Sequence, residues 1–146
     1  MADAPVLRTQ RLILRGLTAA DFDAFASLWA EPVVVRHITG AVSSPAQSWS
    51  RMLKLAGSWP LVGYGYWAVE EAATGRFAGQ AGFAEFMRGM DAGGAGLPEA
   101  GWVFAPDCQG KGYATEAMTA ALDWADRTLQ ARMTWCLIAP DNAASI

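Results

Sequence analysis

The sequence predicts an α+β fold, and three observations support that prediction. Residues 99–118 are typical of a strand, a tight glycine loop and a helix in direct succession. Two strand-like runs, 64–70 and 77–86, are joined by a short turn at 72–75, which predicts a central antiparallel pair. Two helical patterns with capping residues precede that pair. A chain that combines an antiparallel pair with several helices falls in the α+β class.

The N-terminal part of the chain is predicted to hold one strand and two helices. Residues 7–16 nearly alternate between apolar and polar side chains, which indicates a first strand. Thr18 is a candidate N-cap for a helix rich in aromatic and aliphatic residues. Ser44 and Pro45 have the cap and first-position preferences of a second helix, which is predicted to end at Gly57.

The stretch 99–118 organises the rest of the chain. Pro106 stops its short apolar strand, and Gly110 and Gly112 then turn the chain because glycine accepts positive φ angles. The helix that follows has apolar residues spaced by three and four positions, at Ala117, Met118, Ala121, Leu122, Ala125 and Leu129. Unpaired N–H groups and the positive end of the helix dipole meet at such a helix start, so the loop is predicted to bind phosphate oxygens.

Three interpretations of the glycine loop compete, and residue spacing separates them. The P-loop pattern fails because Gly112 follows Lys111 where a Ser or Thr for magnesium is needed. A dinucleotide fingerprint fits only in part, because Thr115 stands where the third glycine or alanine belongs. The pattern Gln-x-x-Gly-x-Ala is met in full by Gln109, Gly112 and Ala114. An ordinary turn without a ligand is the remaining alternative.

Composition narrows the function classes. A chain of 146 residues with 53% hydrophobic residues fits one domain over residues 1–146 with a sizeable core. The net charge of −3 and the pI near 5.0 leave no basic stripe, so no nucleic-acid partner is expected. An acidic balance favours cationic amine substrates only mildly, and ordinary solubility is the plainer explanation of it.

Cysteine content, hydropathy and histidine content add three further expectations. Cys108 and Cys136 form no C-x-x-C pattern, so both are expected to be free thiols in a reducing compartment, with Cys108 a spectator beside the loop. No apolar stretch reaches the length that crosses a bilayer, so no membrane partner and a cytoplasmic location are expected. His37 is the only histidine, and alone it cannot form a metal site, so no metal is expected.

Two segments flank the organising stretch. Residues 89–98 are rich in glycine and predict a flexible loop that leads into the organising strand. Residues 133–139 predict a final strand, which Pro140 ends.

With these motifs the chain resembles the GNAT superfamily of N-acetyltransferases, which use acetyl-coenzyme A. The loop pattern Gln-x-x-Gly-x-Ala carries that resemblance. The N-terminal pattern Leu-x-Thr-x-Arg-Leu-x-Leu-Arg is similar to that of the ribosomal-protein branch (RimJ/RimL type), and it is met by Leu7, Thr9, Arg11, Leu12, Leu14 and Arg15. The resemblance implies a mixed, mostly antiparallel sheet flanked by helices, with a strand order close to the chain order. It also implies acetyl-CoA as the cofactor and a primary amine as the acceptor, which in this branch is a peptide N-terminus.

The resemblance further implies which residues bind the cofactor. The backbone amides of the loop would hold the pyrophosphate, at Gln109, Gly110, Lys111, Gly112, Tyr113, Ala114 and Thr115. The backbone of Trp102, Val103 and Phe104, where the organising strand and the final strand diverge, would pair with the pantetheine arm and polarise the thioester carbonyl. Asn142 would hydrogen-bond to the pantetheine arm or to the acceptor.

Catalytic and acceptor-site roles are implied in the same way. Acetyl transfer to an amine needs a base, a polarised carbonyl and a proton donor for the leaving thiolate. Glu99 matches the position of the general base, and Asn142 and Ser145 match a pattern Asn-x-x-Ser in which the serine is the proton donor. A solvated strand-end carboxylate and simple helix capping are the plainer alternatives for these residues. Trp49 and Trp59 are candidate walls of the acceptor groove, with ordinary core packing as their alternative.

Two functions from different classes fit these features. The first is an N-acetyltransferase in which the amine of a peptide, or alternatively of a small molecule, attacks the thioester directly. The second is a non-catalytic acyl-CoA sensor with the same loop. Members of the family continue past Asn-x-x-Ser, so the chain is expected to be C-terminally incomplete, with an apolar edge around Trp135, Leu137 and Ile138. Either a second copy, in a homodimer, is expected to cover that edge, or the C-terminus is expected to be poorly ordered.

Overall fold

The structure is a computed structural model that describes residues 3–88, 96–130 and 133–146. Over these residues, six strands form one sheet: β1 (Leu7–Arg8), β2 (Leu12–Arg15), β3 (Tyr66–Glu71), β4 (Phe77–Ala84), β5 (Glu99–Phe104) and β6 (Trp135–Cys136). In the same described ranges, four α-helices accompany the sheet: α1 (Phe22–Trp29), α2 (Pro32–Val35), α3 (Pro45–Val62) and α4 (Tyr113–Thr128).

The order of the strands in the sheet is their order in the chain, from β1 to β6. All neighbours from β1 to β5 pair antiparallel, and β5 pairs with β6 in parallel. Helices pack on both faces of the sheet. The predicted α+β class, with a mixed, mostly antiparallel sheet flanked by helices, is therefore confirmed.

Two apolar clusters lie on opposite faces of the sheet. Helix α4 and the end of α3, at Trp59, pack on the face that contains Trp67, and helix α1 and the earlier turns of α3 pack on the face that contains Tyr66. These two neighbours in β3 belong to different clusters because successive side chains of a strand point to opposite faces. Both faces are thus buried, and the residues of β4 from Ala78 to Ala84 are buried without alternation.

The N-terminal segment differs from the single strand predicted over residues 7–16. It forms two short antiparallel strands, β1 and β2, in which Leu7 pairs with Leu14. The turn between them depends on Thr9, whose backbone N–H donates to the carbonyl of Leu12 at 2.9 Å and whose hydroxyl accepts from the N–H of Leu12 at 3.0 Å. No glycine or proline marks this turn, so the alternating pattern concealed it.

Helix α3 begins as predicted and ends later than predicted. The Ser44 side chain accepts from the N–H of Gln47, and the Gln47 side chain accepts from the N–H of Ser44, which completes a capping box. The helix continues past Gly57 because its buried face continues to Trp59, and an interior glycine costs only about 1 kcal/mol. It ends at Gly63, whose φ of 84° is typical of a helix C-cap.

The segment predicted as a strand over residues 133–139 pairs with the sheet only at Trp135 and Cys136. Residues 137–139 have no regular secondary structure. Most of the glycine-rich segment 89–98 lies outside the described residues, so the loop predicted there stays a prediction. Among the residues that are described, no helix combines the length and the hydropathy needed to cross a bilayer.

Candidate active site

A cavity of about 830 Å³ opens where helices α1 to α3, strand β5, the start of α4 and the segment after β6 meet. Its lining includes most of the residues that the sequence predicts for the site: Glu99, Trp102, Val103, Phe104, Gln109, Gly110, Gly112, Tyr113, Ala114, Thr115, Asn142 and Ser145. Lys111 is exposed and does not line the cavity. Glu99 and Ser145, which lie 46 positions apart in the sequence, thus line the same cavity.

Strand β5 has an open edge toward this cavity. Only Glu99 and Ala100 pair with β6, whereas residues 99–104 all pair with β4. Within the described residues, the backbone of Trp102 to Phe104 therefore has a strand neighbour on one side only. Such an edge can accept an extended ligand as an added strand.

The glycine loop presents a row of free N–H groups. Gly110 and Gly112 have φ angles of 74° and 81°, which confirms the positive φ predicted for both. Within the described chain, no acceptor contacts the N–H groups of residues 110–115, and the start of α4 has no side-chain cap. These groups point outward at the positive end of a helix of 16 residues. The loop therefore fits the oxygens of a phosphate group.

Gln109 links the loop to the end of β5. Its side-chain Nε2 donates to the carbonyl oxygen of Phe104 at 3.1 Å. The side chain consequently fixes the turn between strand and helix, and the donors for a ligand come from the backbone of the following residues. Tyr113, the first residue of α4, is fixed in turn by its hydroxyl, which donates to Glu71 of β3 at 2.6 Å.

Two residues of the N-terminal pattern contact the first turn of α4. Thr9 and Arg11 both bind the carboxylate of Glu116: the Thr9 hydroxyl donates to it, and the backbone N–H and Nε of Arg11 donate at 2.9 and 2.8 Å. Partial burial alone would raise the pKa of Glu116, but these hydrogen bonds outweigh it and lower that pKa. Thr9 and Arg11 thus help to fix the first turn of α4 and the glycine loop before it, although about a hundred residues separate them from that loop in the sequence.

Glu99 is buried and paired rather than solvated. Its side chain is 5% exposed, and Arg88 binds it in a bidentate arrangement, with Nε to Oε1 at 2.9 Å and Nη2 to Oε2 at 3.1 Å. Because two parallel N–H bonds fix both oxygens, the orientation of the carboxylate is well defined. A fixed carboxylate with lone pairs remaining, at the wall of a cavity, is able to accept a proton from a bound amine.

Tyr66 is a site residue that sequence reasoning missed. It is 6% exposed and lines the cavity, and within the described residues its hydroxyl makes no hydrogen bond. Burial raises the pKa of Tyr66, and the nearby charge of Glu99 raises it further, so the phenol stays protonated at neutral pH. No local motif marks this tyrosine, because its neighbours in space are on other strands.

Asn142 and Ser145 lie in the segment after β6. Asn142 precedes a 3₁₀ turn at Ala143–Ser145, and its side chain makes no capping hydrogen bond. The capping role considered for Asn142 is therefore absent from the structure. Both residues line the cavity, where their polar side chains are available to a ligand.

The two tryptophans proposed as walls of the acceptor groove lie elsewhere. Trp59 is 3% exposed, packs against Trp67 in the core and donates its Nε1 to the carbonyl of Tyr66 at 3.0 Å. Trp49 packs edge-on against Phe22 and does not line the cavity. This prediction was wrong, because helical spacing alone cannot separate a core tryptophan from a pocket wall; Trp29 of α1 lines the cavity instead.

His37 contacts an acidic side chain, and the two cysteines are free thiols. The Nδ1 of His37 lies 3.2 Å from a carboxylate oxygen of Asp141, and both residues line the cavity. Cys108 is buried and Cys136 exposed, and both are free. The described residues contain no group of three or more potential metal ligands.

Comparison with known proteins agrees with this geometry. Residues 11–146 match the profile of the acetyltransferase (GNAT) domain family. An acetyltransferase from Agrobacterium tumefaciens is 31% identical with a TM-score of 0.82, over 97% of this chain and 78% of that one. A GnaT-family acetyltransferase from Bordetella pertussis is also 31% identical with a TM-score of 0.84, over 97% of this chain and 82% of that one.

A third structure shares the fold alone. It is an acetyl transferase from Salmonella typhimurium, described as modifying the N-terminal serine of the 50S ribosomal subunit protein L7/L12. Its identity is 14% and its TM-score 0.77, over 97% of this chain and 79% of that one. Since the family profile covers all but the first ten residues and two acetyltransferases share 31% of their residues with it, the chain belongs to the GNAT acetyltransferase family.

Proposed function

We propose that the protein is an acetyl-CoA-dependent N-acetyltransferase whose acceptor is a primary amine, the α-amino group of a protein or peptide. One observation carries the proposal. The free N–H groups of the loop, the open edge of β5 and the buried carboxylate of Glu99 all face a single cavity. A cofactor extended along that edge would have its phosphates at the loop and its reactive end close to Glu99.

Each part of the site has a defined task in this proposal. When bound, acetyl-CoA supplies an acetyl thioester to the amine. The N–H groups of residues 110–115 bind the pyrophosphate, and the backbone of Trp102 to Phe104 pairs with the pantetheine arm and polarises the thioester carbonyl. Asn142 hydrogen-bonds to that arm or to the acceptor.

Proton transfers are assigned to two side chains. Glu99 accepts the proton that the amine must lose, and Arg88 keeps the carboxylate in position. Ser145 donates a proton to the leaving thiolate and regains one from water, to which Glu99 releases the proton of the amine. Tyr66, which stays protonated, offers a further hydrogen-bond donor on the face of β5 that holds Glu99.

The choice of a peptide acceptor rests on similarity. The N-terminal pattern is similar to that of the ribosomal-protein branch, and the fold is shared with a Salmonella protein described as acting on an N-terminal serine. An acetyltransferase for a small amine is the alternative substrate class. A non-catalytic acyl-CoA sensor is the alternative function, because the loop would serve it equally well.

Two experiments separate these possibilities. Calorimetry should show binding of coenzyme A in preference to NAD and ATP, and a preference for either nucleotide would refute the cofactor assignment. Thiol release should then be measured with a panel of peptides and small amines. An enzyme loses turnover in Glu99→Gln while keeping its affinity for coenzyme A, whereas a sensor shows no turnover to lose. A small amine that reacts far better than every peptide would replace the peptide assignment.

Two properties of the whole protein remain part of the proposal. The free cysteines support a reducing, cytoplasmic location. The edge strand β6 lies between Met133 and Leu137, which are 60% and 56% exposed, and this supports a homodimer through that edge. Light scattering at micromolar concentration would test it, and a monomer would contradict it.

A further inference from the structure

The cavity is basic although the chain as a whole is acidic. Its described lining includes four cations, Arg36, Arg51, Lys54 and Arg88, and two carboxylates, Glu99 and Asp141. The carboxylates already have partners, since Glu99 binds Arg88 and Asp141 contacts His37. Among the described residues, no carboxylate lies within ion-pair distance of the remaining three cations. The cavity therefore has positive charge available for a ligand.

Arg51 of α3 is the clearest case. Its guanidinium lies over the ring of Trp29, with Cζ 3.9 Å from the ring centroid, and its Nη1 donates to the hydroxyl of Ser43 at 2.9 Å. Its other N–H groups have no acceptor among the described residues, and burial lowers the pKa of the guanidinium. A half-buried cation without a counter-charge is unfavourable, so an anion from a ligand would stabilise it.

Lys54 lies on the same face of α3, three residues after Arg51. Its Nζ is 5.3 Å from the ring centroid of Phe86, and the guanidinium carbon of Arg88 is 4.8 Å from the same centroid. Arg88 in turn binds Glu99. Arg51 and Lys54 therefore line the same cavity as the carboxylate that would receive the proton of the acceptor amine, and Lys54 shares an aromatic neighbour with the arginine that binds this carboxylate.

The phosphates of the cofactor have donors elsewhere. The free N–H groups of residues 110–115 lie at the start of α4, whereas Arg51 and Lys54 lie in the part of α3 that packs, through Met52 and Leu55, with α1 on the other face of the sheet. An anion bound by Arg51 and Lys54 is therefore more simply a part of the acceptor than a part of the cofactor.

We infer that Arg51 and Lys54 form an anion-binding subsite for a carboxylate of the acceptor, so that the acceptor is an amine that also carries a carboxylate. This inference rests on the proposed function and specifies its substrate class. The carboxylate belongs either to a free amino acid or to an acidic residue close to a peptide N-terminus. Both present the same group to the two cations.

The test uses acceptor pairs that differ only in charge. One pair is an amino acid and its amide, and the other is a short peptide with Glu at its second position and the same peptide with Gln there. We expect the charged member to have the higher kcat/KM by about tenfold or more, as for a hydrogen bond to a charged group. The pair that shows the preference identifies the source of the carboxylate.

Two variants then test whether Arg51 and Lys54 cause this preference for the charged acceptor. Arg51→Met and Lys54→Met should bring the two members of that pair close to parity while leaving the KM for acetyl-CoA unchanged. Arg51→Lys should keep part of the preference if Arg51→Met does not fold. Arg127→Met is the matched control, because Arg127 is exposed, pairs with Asp123 and does not line the cavity.

Three outcomes would overturn the inference. The first is equal turnover of charged and neutral acceptors by the unaltered protein. The second is a rise in the KM for acetyl-CoA, and not for the acceptor, in both variants, which would assign the cations to the cofactor. If no amine reacts, the proposed function fails, and calorimetry of the same peptides on the coenzyme A-loaded protein still decides the subsite. Tighter binding of the acidic peptide supports it, and equal binding is the third outcome against it.

Discussion

The hydroxyl group of Tyr66 occupies the space that a Cβ at Gly101 would need. Tyr66 is on β3 and Gly101 is on β5, and Gly82 of β4 is in register with both. The tyrosine ring therefore crosses β4 above a glycine and ends above a second glycine, two residues from Glu99. Because Gly82 and Gly101 have no side chains, the neutral phenol of Tyr66 is able to reach the cavity wall.

Gly101→Ala should consequently disturb the site more than its size suggests. The added methyl group must displace the Tyr66 ring, and overpacking of this kind costs about 1–3 kcal/mol of unfolding free energy. We expect that loss in denaturant unfolding, together with lower turnover.

Gly57→Ala is the control for this prediction. Gly57 lies inside α3 with nothing within 4 Å of an added Cβ, so the change should be neutral or stabilising by up to about 1 kcal/mol. Equal stability of Gly101→Ala and the unaltered protein would show that the tyrosine moves away without loss.

Local sequence patterns predict the helices and strands well, but they predict poorly which residues meet across neighbouring strands. The helix after the glycine loop, the central hairpin and the Ser44 cap depend on residues close in the chain, so local spacing was sufficient. Tyr66 above Gly101 depends on the register of three strands, which no local pattern encodes. The missed turn at Thr9 is similar, because Thr9 is fixed partly by Glu116 from the opposite end of the chain.

Gly112→Val should weaken binding of coenzyme A. Gly112 has a φ of 81°, which a β-branched residue avoids, so the change would distort the row of N–H groups at the start of α4. We expect a loss of affinity of tenfold or more, about 1.4 kcal/mol, by calorimetry.

Gly63→Val provides a matched control at a nearly identical φ of 84°, at the end of α3 and away from the cavity lining. It should lower stability in the same way and leave the affinity for coenzyme A unchanged. If both variants bound equally well, the loop would not be the cofactor site.

Glu116→Ala should destabilise the protein in a pH-dependent way. The change removes the acceptor of Thr9 and Arg11, and because the Arg11 donors are exposed to water we expect a loss of about 0.5–1.5 kcal/mol at pH 7. The pKa of Glu116 is lowered from 4.5 in the folded protein. A lowered folded pKa means that the stabilisation is complete above the unfolded value and is lost as the pH falls through the folded value.

The stability difference between Glu116→Ala and the unaltered protein should therefore shrink below pH 4.5. Denaturant unfolding over a series of pH values measures it. Asp123→Asn is the control, because its ion pair with Arg127 is exposed and should contribute less than about 0.5 kcal/mol at any pH. A difference for Glu116→Ala that stays constant from pH 7 to pH 3 would contradict the account.

The two thiols should react at different rates. Cys136 is exposed, whereas Cys108 is 1% exposed and its burial raises its pKa, so little of its reactive thiolate is present. A thiol reagent should label one cysteine rapidly and the second only on unfolding. Cys136→Ser should abolish the rapid reaction, and the loss of that reaction in Cys108→Ser instead would reverse the assignment.

The ion pair between Arg88 and Glu99 allows effects on stability to be separated from effects on turnover. Arg88→Met leaves a carboxylate that is 5% exposed without its partner, and we expect about 1–3 kcal/mol lower stability with lower turnover. Adding Glu99→Gln removes the buried charge, so the double variant should recover much of that stability but none of the turnover. Arg76→Met serves as the control, because Arg76 pairs with Asp107 at the surface and should affect neither property by much. A double variant that regained turnover would show that Glu99 is not the base, and one that stayed as unstable as Arg88→Met would show that the unpaired charge is not the cause of the loss.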